Sequence, residues 1–256
     1  MGGGTACQAD TEAFGCLRFI ERAPIADGIG VNTHYGDPRD PLDPAALAQL
    51  RAAGVHFVRN DLDWASVERT PGVYDFVTPG FDALVEAADR EGLHILLILD
   101  YGNPVYGPHQ AVVGDEARQA FASYSGAAAA RYGGRGHRWE IWNEPNMPQF
   151  WDASGQGPDA EEYALLVEAT IPALRAADPS GEILVGSTFM GLPAVVEAIG
   201  GIAGLEFLRR LFAAGVPALA DGITVHLYRV EPPESAAADL RAVRELMAES
   251  GVDLPL

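Results

Sequence analysis

The sequence contains no lysine; all 17 of its basic residues are arginine. Lysine Schiff-base chemistry is thereby excluded, and with it pyridoxal phosphate attachment and one class of aldolase. Cysteine is almost absent, with Cys7 and Cys16 the only two. A zinc site needs four ligands at suitable spacing, and these are missing. The two thiols either close a small N-terminal loop as a disulfide or stay idle. Long apolar runs are lacking as well. The longest, "LHILLIL" (93–99), is far too short to span a bilayer. Basic charge is scarce beside 36 acidic residues, and the formal net charge of -19 argues against nucleic acid and anionic membranes as partners. No G-x-G-x-x-G turn and no Walker pattern is present, so no nucleotide cofactor is expected, and no metal pattern is found either. The opening "MGGGTACQADTEAFGC" has neither the basic nor the apolar region of a signal peptide and reads as a tail over residues 1–24.

What is present is a chain of 256 residues that is 48% hydrophobic, enough for a sizeable core. Short apolar runs alternate with amphipathic, alanine-rich stretches. The strand candidates are 28–35, 55–62, 93–101, 138–145, 182–189 and 222–228. Helical patterns lie between and after them, several opening at Asp or Pro and closing at Gly, the usual punctuation of helices. Strand and helix in alternation imply a parallel sheet covered by helices.

An open doubly wound sheet and a closed (β/α)8 barrel both fit that alternation. The first lacks its glycine-rich turn. The second is favoured by polar residues at strand ends: His34, Arg59 with Asp61, Asp100 with Tyr101, Asn143 with Glu144, and His226 with Tyr228. Barrels keep their active sites at the C-terminal ends of their strands. Six βα units can be counted, and "ESGVDLPL" reads as a helix end followed by the opening of a seventh strand. The expected fold is an α/β TIM barrel, C-terminally incomplete, over residues 25–256.

The stretch "RWEIWNEPNM" (138–147) carries the chemistry. A carboxyl that hands a proton to a leaving oxygen must be partly desolvated, so that its pKa rises toward working pH. Glu144 has Trp139, Trp142 and Trp151 for company. Asn143 can bond a substrate hydroxyl. The faces of Trp142, Trp151 and Tyr101 can stack on sugar rings. The competing assignment makes the tryptophans core and Glu144 a satisfied structural acid.

"WEIWNEPN" resembles the fourth strand of clan A glycoside hydrolases, the (β/α)8 retaining glycosidases. The resemblance implies that Glu144 is the general acid/base. It also places His34, Arg59, His226 and Tyr228 at substrate-side positions on the first, second and sixth strands. The stretch with Trp64, Val67, Glu68, Gly72, Tyr74, Asp75 and Phe76 is most similar to glycoside hydrolase family 39 and related enzymes acting on β-xylosides, uronides or exopolysaccharides. Such enzymes need a second carboxylate, the nucleophile, about 5 Å from the acid/base. In the clan it comes from the end of the seventh strand, so here it is expected beyond Leu256.

Asp61 and Asp100 could serve instead as the base of an inverting enzyme, which sits about 6.5–9.5 Å from the acid. Otherwise they orient Arg59 and substrate hydroxyls. The leading reading is a retaining glycosidase, or the larger part of one, acting on oligo- or polysaccharides. The alternative is a non-catalytic carbohydrate-binding protein of the same fold. An unrelated metabolic α/β enzyme would need a nucleotide or metal pattern. Polysaccharide substrates suggest export, although no leader is visible. Open sheet edges would favour self-association.

Overall fold

The computed structural model describes residues 28–35, 42–108, 110–153, 155–229 and 232–256. The tail with Cys7 and Cys16 lies outside the described residues. Six strands, β1 (Gly30–Thr33), β2 (Phe57–Asp63), β3 (His94–Asp100), β4 (Arg138–Ile141), β5 (Glu182–Phe189) and β6 (Gly222–His226), form one sheet. Each pairs in parallel with the next in sequence order. Parallel neighbours in unbroken order are the signature of a barrel wall rather than a doubly wound sheet, whose order reverses.

The helices return the chain along the outside. They are α1 (Pro44–Ala52), α2 (Trp64–Val67), α3 (Phe81–Glu91), α4 (Asp115–Tyr132), α5 (Ala160–Ala177), α6 (Pro193–Ala198), α7 (Gly204–Ala213) and α8 (Ala236–Glu249). Local chemistry fixes their ends. The Asp43 carboxylate accepts from the Ala45 N–H, Pro44 supplies a preset first turn, and the Asp159 carboxylate caps α5 at Glu161 and Glu162. Gly92, at φ 65°, closes α3 in the left-handed conformation that a Cβ would oppose. Single-turn α2 and the short α6 are absent from the sequence reading, because one turn leaves no periodicity to detect. Asp63 holds α2 by accepting from the Ser66 N–H at 2.7 Å.

The sheet divides the molecule into two unlike sides. Val58, Leu62, Ile95, Leu97, Leu99, Trp139, Ile141, Ile183, Val185 and Ile223 are buried in one apolar core with Phe121, Tyr124, Tyr163, Leu166, Phe207 and Leu211 from the helices. Each such large side chain contributes about 1.5–3 kcal/mol on burial. The other side is concave and polar. Arg59 on β2 reaches Glu140 on β4 at 2.7 Å and Ser187 on β5 at 3.2 Å. A side chain spans three strands in this way only if the sheet curls around it. The architecture is six strands of a TIM barrel wall.

Two segments outside the helices and strands are pinned by hydrogen bonds. Glu68 accepts from Trp64 Nε1, the Gly72 N–H and the Tyr106 hydroxyl, each at 2.6 Å. The stretch that carried the family 39 resemblance thus folds around Glu68, away from the lumen. Beyond α8, the Pro255 carbonyl accepts from the Ile223 N–H at 2.9 Å, so residues 252–256 run beside β6.

Candidate active site

β4 ends at Ile141, short of the expected 145, because the backbone turns there. Trp142 (φ 71°) and Glu144 (φ 46°) both lie in the left-handed region. Residues with a Cβ occupy it at a cost of about 1–3 kcal/mol each, so their surroundings must over-determine them. They do. The Trp142 N–H donates to the Leu99 carbonyl at 2.9 Å, and its indole N–H to the Phe150 carbonyl at 3.0 Å. The Glu144 N–H donates to the Ser187 carbonyl at 3.0 Å. Buried Asn146 ties the turn to β5, accepting from the Phe189 N–H and donating to the Phe189 and Ile202 carbonyls.

This turn aims Glu144 into the lumen rim, where it is 7% exposed. Its Oε1 lies 2.7 Å from His226 Nδ1 at the end of β6. His226 Nε2 is 3.2 Å from Ser187 Oγ, and Arg59 Nη2 donates to that oxygen and to Asn143 Oδ1 (2.9 Å). Asn143 Nδ2 donates to the Tyr101 hydroxyl at 3.0 Å. Arg59 Nη1 donates to Asn32 Oδ1, and Asn32 Nδ2 meets His34 Nε2 at 3.3 Å. His34 Nδ1 lies 3.0 Å from Asp61 Oδ2. His34, Arg59, Asp61, Tyr101, Asn143, Glu144 and His226 therefore form one hydrogen-bonded network with Arg59 at its hub.

The remaining expected site residues adjoin this network without hydrogen-bonding into it among the described residues. Trp151 is fully buried behind Trp142, with ring centroids 4.9 Å apart, and packs edge-on against Tyr163. It presents no face to a ligand: it buttresses Trp142, itself fully buried. Asp100 is also fully buried, and neither carboxyl oxygen has a hydrogen-bond partner among the described residues. Tyr228 is the opposite case, mostly exposed and stacked on Phe189.

Four network members were not singled out in the sequence: Asn32, Glu140, Ser187 and Thr224. Glu140 binds Arg59 Nε through Oε2 and accepts from the Thr224 hydroxyl at 2.6 Å through Oε1. Ser187 (φ 41°) sits at the register shift of β5 against β6. The alternation of charged and apolar residues in "RWEI" is the one signal that could have marked Glu140 as lumen-facing.

Burial alone would lower the Arg59 pKa, but Glu140, with Asp61 and Asp100 behind it, holds the guanidinium above its ordinary value. Burial first, and then nearby Asp61 and Asp63, push Asp100 well above the carboxylate range. Burial, then Asp100 and Asp61, push the Tyr101 phenol upward. The rim thus combines a fixed cation, a histidine-bonded carboxylate, and amide and hydroxyl groups suited to binding the hydroxyls of a ligand. No cluster of His, Cys, Asp and Glu suited to a metal occurs among the described residues.

Comparison with known proteins agrees with the clan expected from "WNEPN". A family 39 glycoside hydrolase from Bacteroides cellulosilyticus WH2 shares 26% identity at a TM-score of 0.60, over 78% of this chain and 38% of that one. A monomeric β-xylosidase from Caulobacter crescentus CB15 has a TM-score of 0.63 and 20% identity, over 89% of this chain and 50% of that one. A thermostable mutant of the xylanase Xyn10A from Cellvibrio japonicus has a TM-score of 0.58 and 19% identity, over 88% and 66%. The chain thus spans between about a third and two thirds of the length of these proteins. No curated protein sequence matches it. Family 39 is represented among the structural neighbours, whereas the family model that matches is that of family 5, over residues 21–205. The chain belongs to the cellulase family, glycosyl hydrolase family 5, within the glycosidase clan its fourth strand resembles.

Proposed function

We propose that this chain carries the acid/base half of a retaining glycosidase that cleaves O-glycosidic bonds in oligo- or polysaccharides, with Glu144 as general acid/base. The observation that supports this most is the Glu144–His226 pair. With Nδ1 protonated, His226 donates to Oε1, the Ser187 hydroxyl donates to Nε2, and Arg59 donates to Ser187. Every donor in that relay has an acceptor, and Oε2 keeps no partner among the described residues. Oε2 is then the oxygen that gives its proton to the leaving group as the C1–O bond breaks. It later takes a proton from the water that attacks C1. Arg59, Asn143, Tyr101 and the His34–Asp61 pair are substrate-positioning groups.

A retaining reaction needs a second carboxylate about 5 Å away. Glu140 is unsuited, because Arg59 and Thr224 occupy both of its oxygens. We assign that role to a glutamate on a seventh strand, following the segment beside β6. The test is Glu144→Gln in a protein that includes that strand. Glycosides with poor leaving groups should turn over about 100- to 10,000-fold more slowly, and aryl glycosides with good leaving groups should suffer less. Unchanged turnover of the former would remove Glu144 from the role. Calorimetric binding of oligosaccharides with no hydrolysis by that wild-type protein would favour the non-catalytic reading.

A further inference from the structure

Beside the polar lumen lies a groove of a different character. It has a volume of 730 Å³ and is walled by Met147, Phe189, Met190, Leu192, Val195 and Ile199, with Tyr228 at its mouth. That volume is within the range of small-molecule sites. Leu192, Val195, Ile199 and Tyr228 are each more than half exposed, a contiguous apolar surface that soluble proteins ordinarily cover or use. Besides the exposed Tyr228 hydroxyl at the mouth, its polar side chains are already engaged: the Arg229 guanidinium bonds the Ser235 hydroxyl, the Asp239 carboxylate and the Leu227 carbonyl. The groove therefore offers almost no free group to sugar hydroxyls.

It is also built onto the candidate active site. The Met147 N–H donates to the Glu144 carbonyl at 3.0 Å. The Met190 N–H donates to the His226 carbonyl at 2.9 Å. The Tyr228 ring meets the His226 ring edge-on at 6.0 Å. The groove thus shares its wall with the segments that carry Glu144 and His226, the pair that, in the reading above, serves the leaving oxygen.

We infer that the groove holds the leaving group and that this group is apolar, which replaces the oligo- or polysaccharide of the reading above with a glycoside of an alkyl or similarly apolar alcohol, its sugar bound by the Arg59 network. The inference rests on Glu144 being the acid/base, and the experiment separates the two. Calorimetry would compare methyl β-D-glucoside, n-octyl β-D-glucoside, cellotriose and n-octyl tetraethylene glycol ether below micellar concentrations, with the corresponding xylosides and xylotriose in parallel. The octyl glycoside should bind at least tenfold more tightly than the methyl glycoside. Val195→Glu, or independently Ile199→Glu should the first fail to fold, should erase that gain and leave methyl glycoside binding unchanged.

Equal affinity for octyl and methyl glycosides, with the trisaccharides still bound, would overturn the apolar leaving group and leave the glycosidase reading standing. Tighter binding of the trisaccharides than of the octyl glycosides would overturn it too, making the groove a sugar subsite. Binding of the octyl ether as tightly as the octyl glycoside would show that groove and sugar site are uncoupled, and would equally overturn it. No binding of any carbohydrate probe would count against both readings.

Discussion

Glu140 and Glu144 lie one on β4 and one in the turn just after it, and their surroundings differ in nearly every respect. Glu140 is in regular strand, 1% exposed, with one oxygen on Arg59 and the other on Thr224. Glu144 is in a left-handed turn, with one oxygen on a histidine whose far nitrogen is held by Ser187. The first is satisfied on both sides and has nothing left to give. The second is fixed from one side and open on the other. Burial and a charged partner therefore do not by themselves mark a reactive carboxylate. What separates the two is an unused oxygen on a backbone held in a costly conformation.

The comparison breaks most clearly at Glu140. Glu140→Ala leaves the Arg59 guanidinium buried and unpaired, which costs about 3–5 kcal/mol. Urea unfolding should show that loss as a lower midpoint at an unchanged slope. Replacing both partners, Arg59→Met with Glu140→Leu, should restore most of the stability, since desolvation of the pair offsets much of its attraction. A single variant as stable as the parent would mean that water reaches Arg59 and that the lumen is not dry at this depth.

Asp100 sharpens the comparison from a third position. It is buried without hydrogen-bond partners among the described residues, and its pKa is raised well above the carboxylate range by burial, then by Asp61 and Asp63. In the unfolded chain it titrates near about 3.9. Between that value and its folded pKa, the native state holds a proton that the unfolded state has lost. Stability therefore falls as pH rises through this window. Asp100→Asn removes the titration while keeping the shape. The variant should be more stable than the parent at pH 7, with the difference shrinking as pH falls through that window toward the ordinary carboxylate value. Melting temperatures across pH 3 to 8 check this. A constant difference would mean that Asp100 titrates alike in both states.

All six strands, the parallel order and the position of Glu144 were legible in the sequence, because each rests on local signals: apolar runs, capping residues, and an acid just after a buried strand. His34, Arg59, Asp61, Tyr101, Asn143 and His226 were legible for the same reason, as polar residues at strand ends. Direction was not. Trp151 and Tyr228 are both aromatic residues near strand ends, yet one is fully buried and the other mostly exposed. Which way each points depends on the left-handed turn at Trp142 and the register shift in β5, set by contacts between strands far apart in sequence. Asn32, Glu140, Ser187 and Thr224 were missed because their roles are defined by Arg59, up to 165 positions distant by chain number and bonded only once the sheet has formed.

The smallest expected effect lies at Glu144, and its smallness is informative. Glu144→Gln keeps an oxygen 2.7 Å from His226 Nδ1, so the hydrogen bond survives with less charge behind it. A charged bond contributes about 1.5–3 kcal/mol and a neutral one about 0.5–1.5 kcal/mol. The variant should thus lose about 1 kcal/mol or less in urea unfolding, well below the loss at Glu140. If Glu144 were instead a structural acid, Glu144→Ala would cost about as much as Glu140→Ala. Measuring both under one set of conditions decides between a carboxylate retained for the fold and one retained for a ligand, and it needs no substrate.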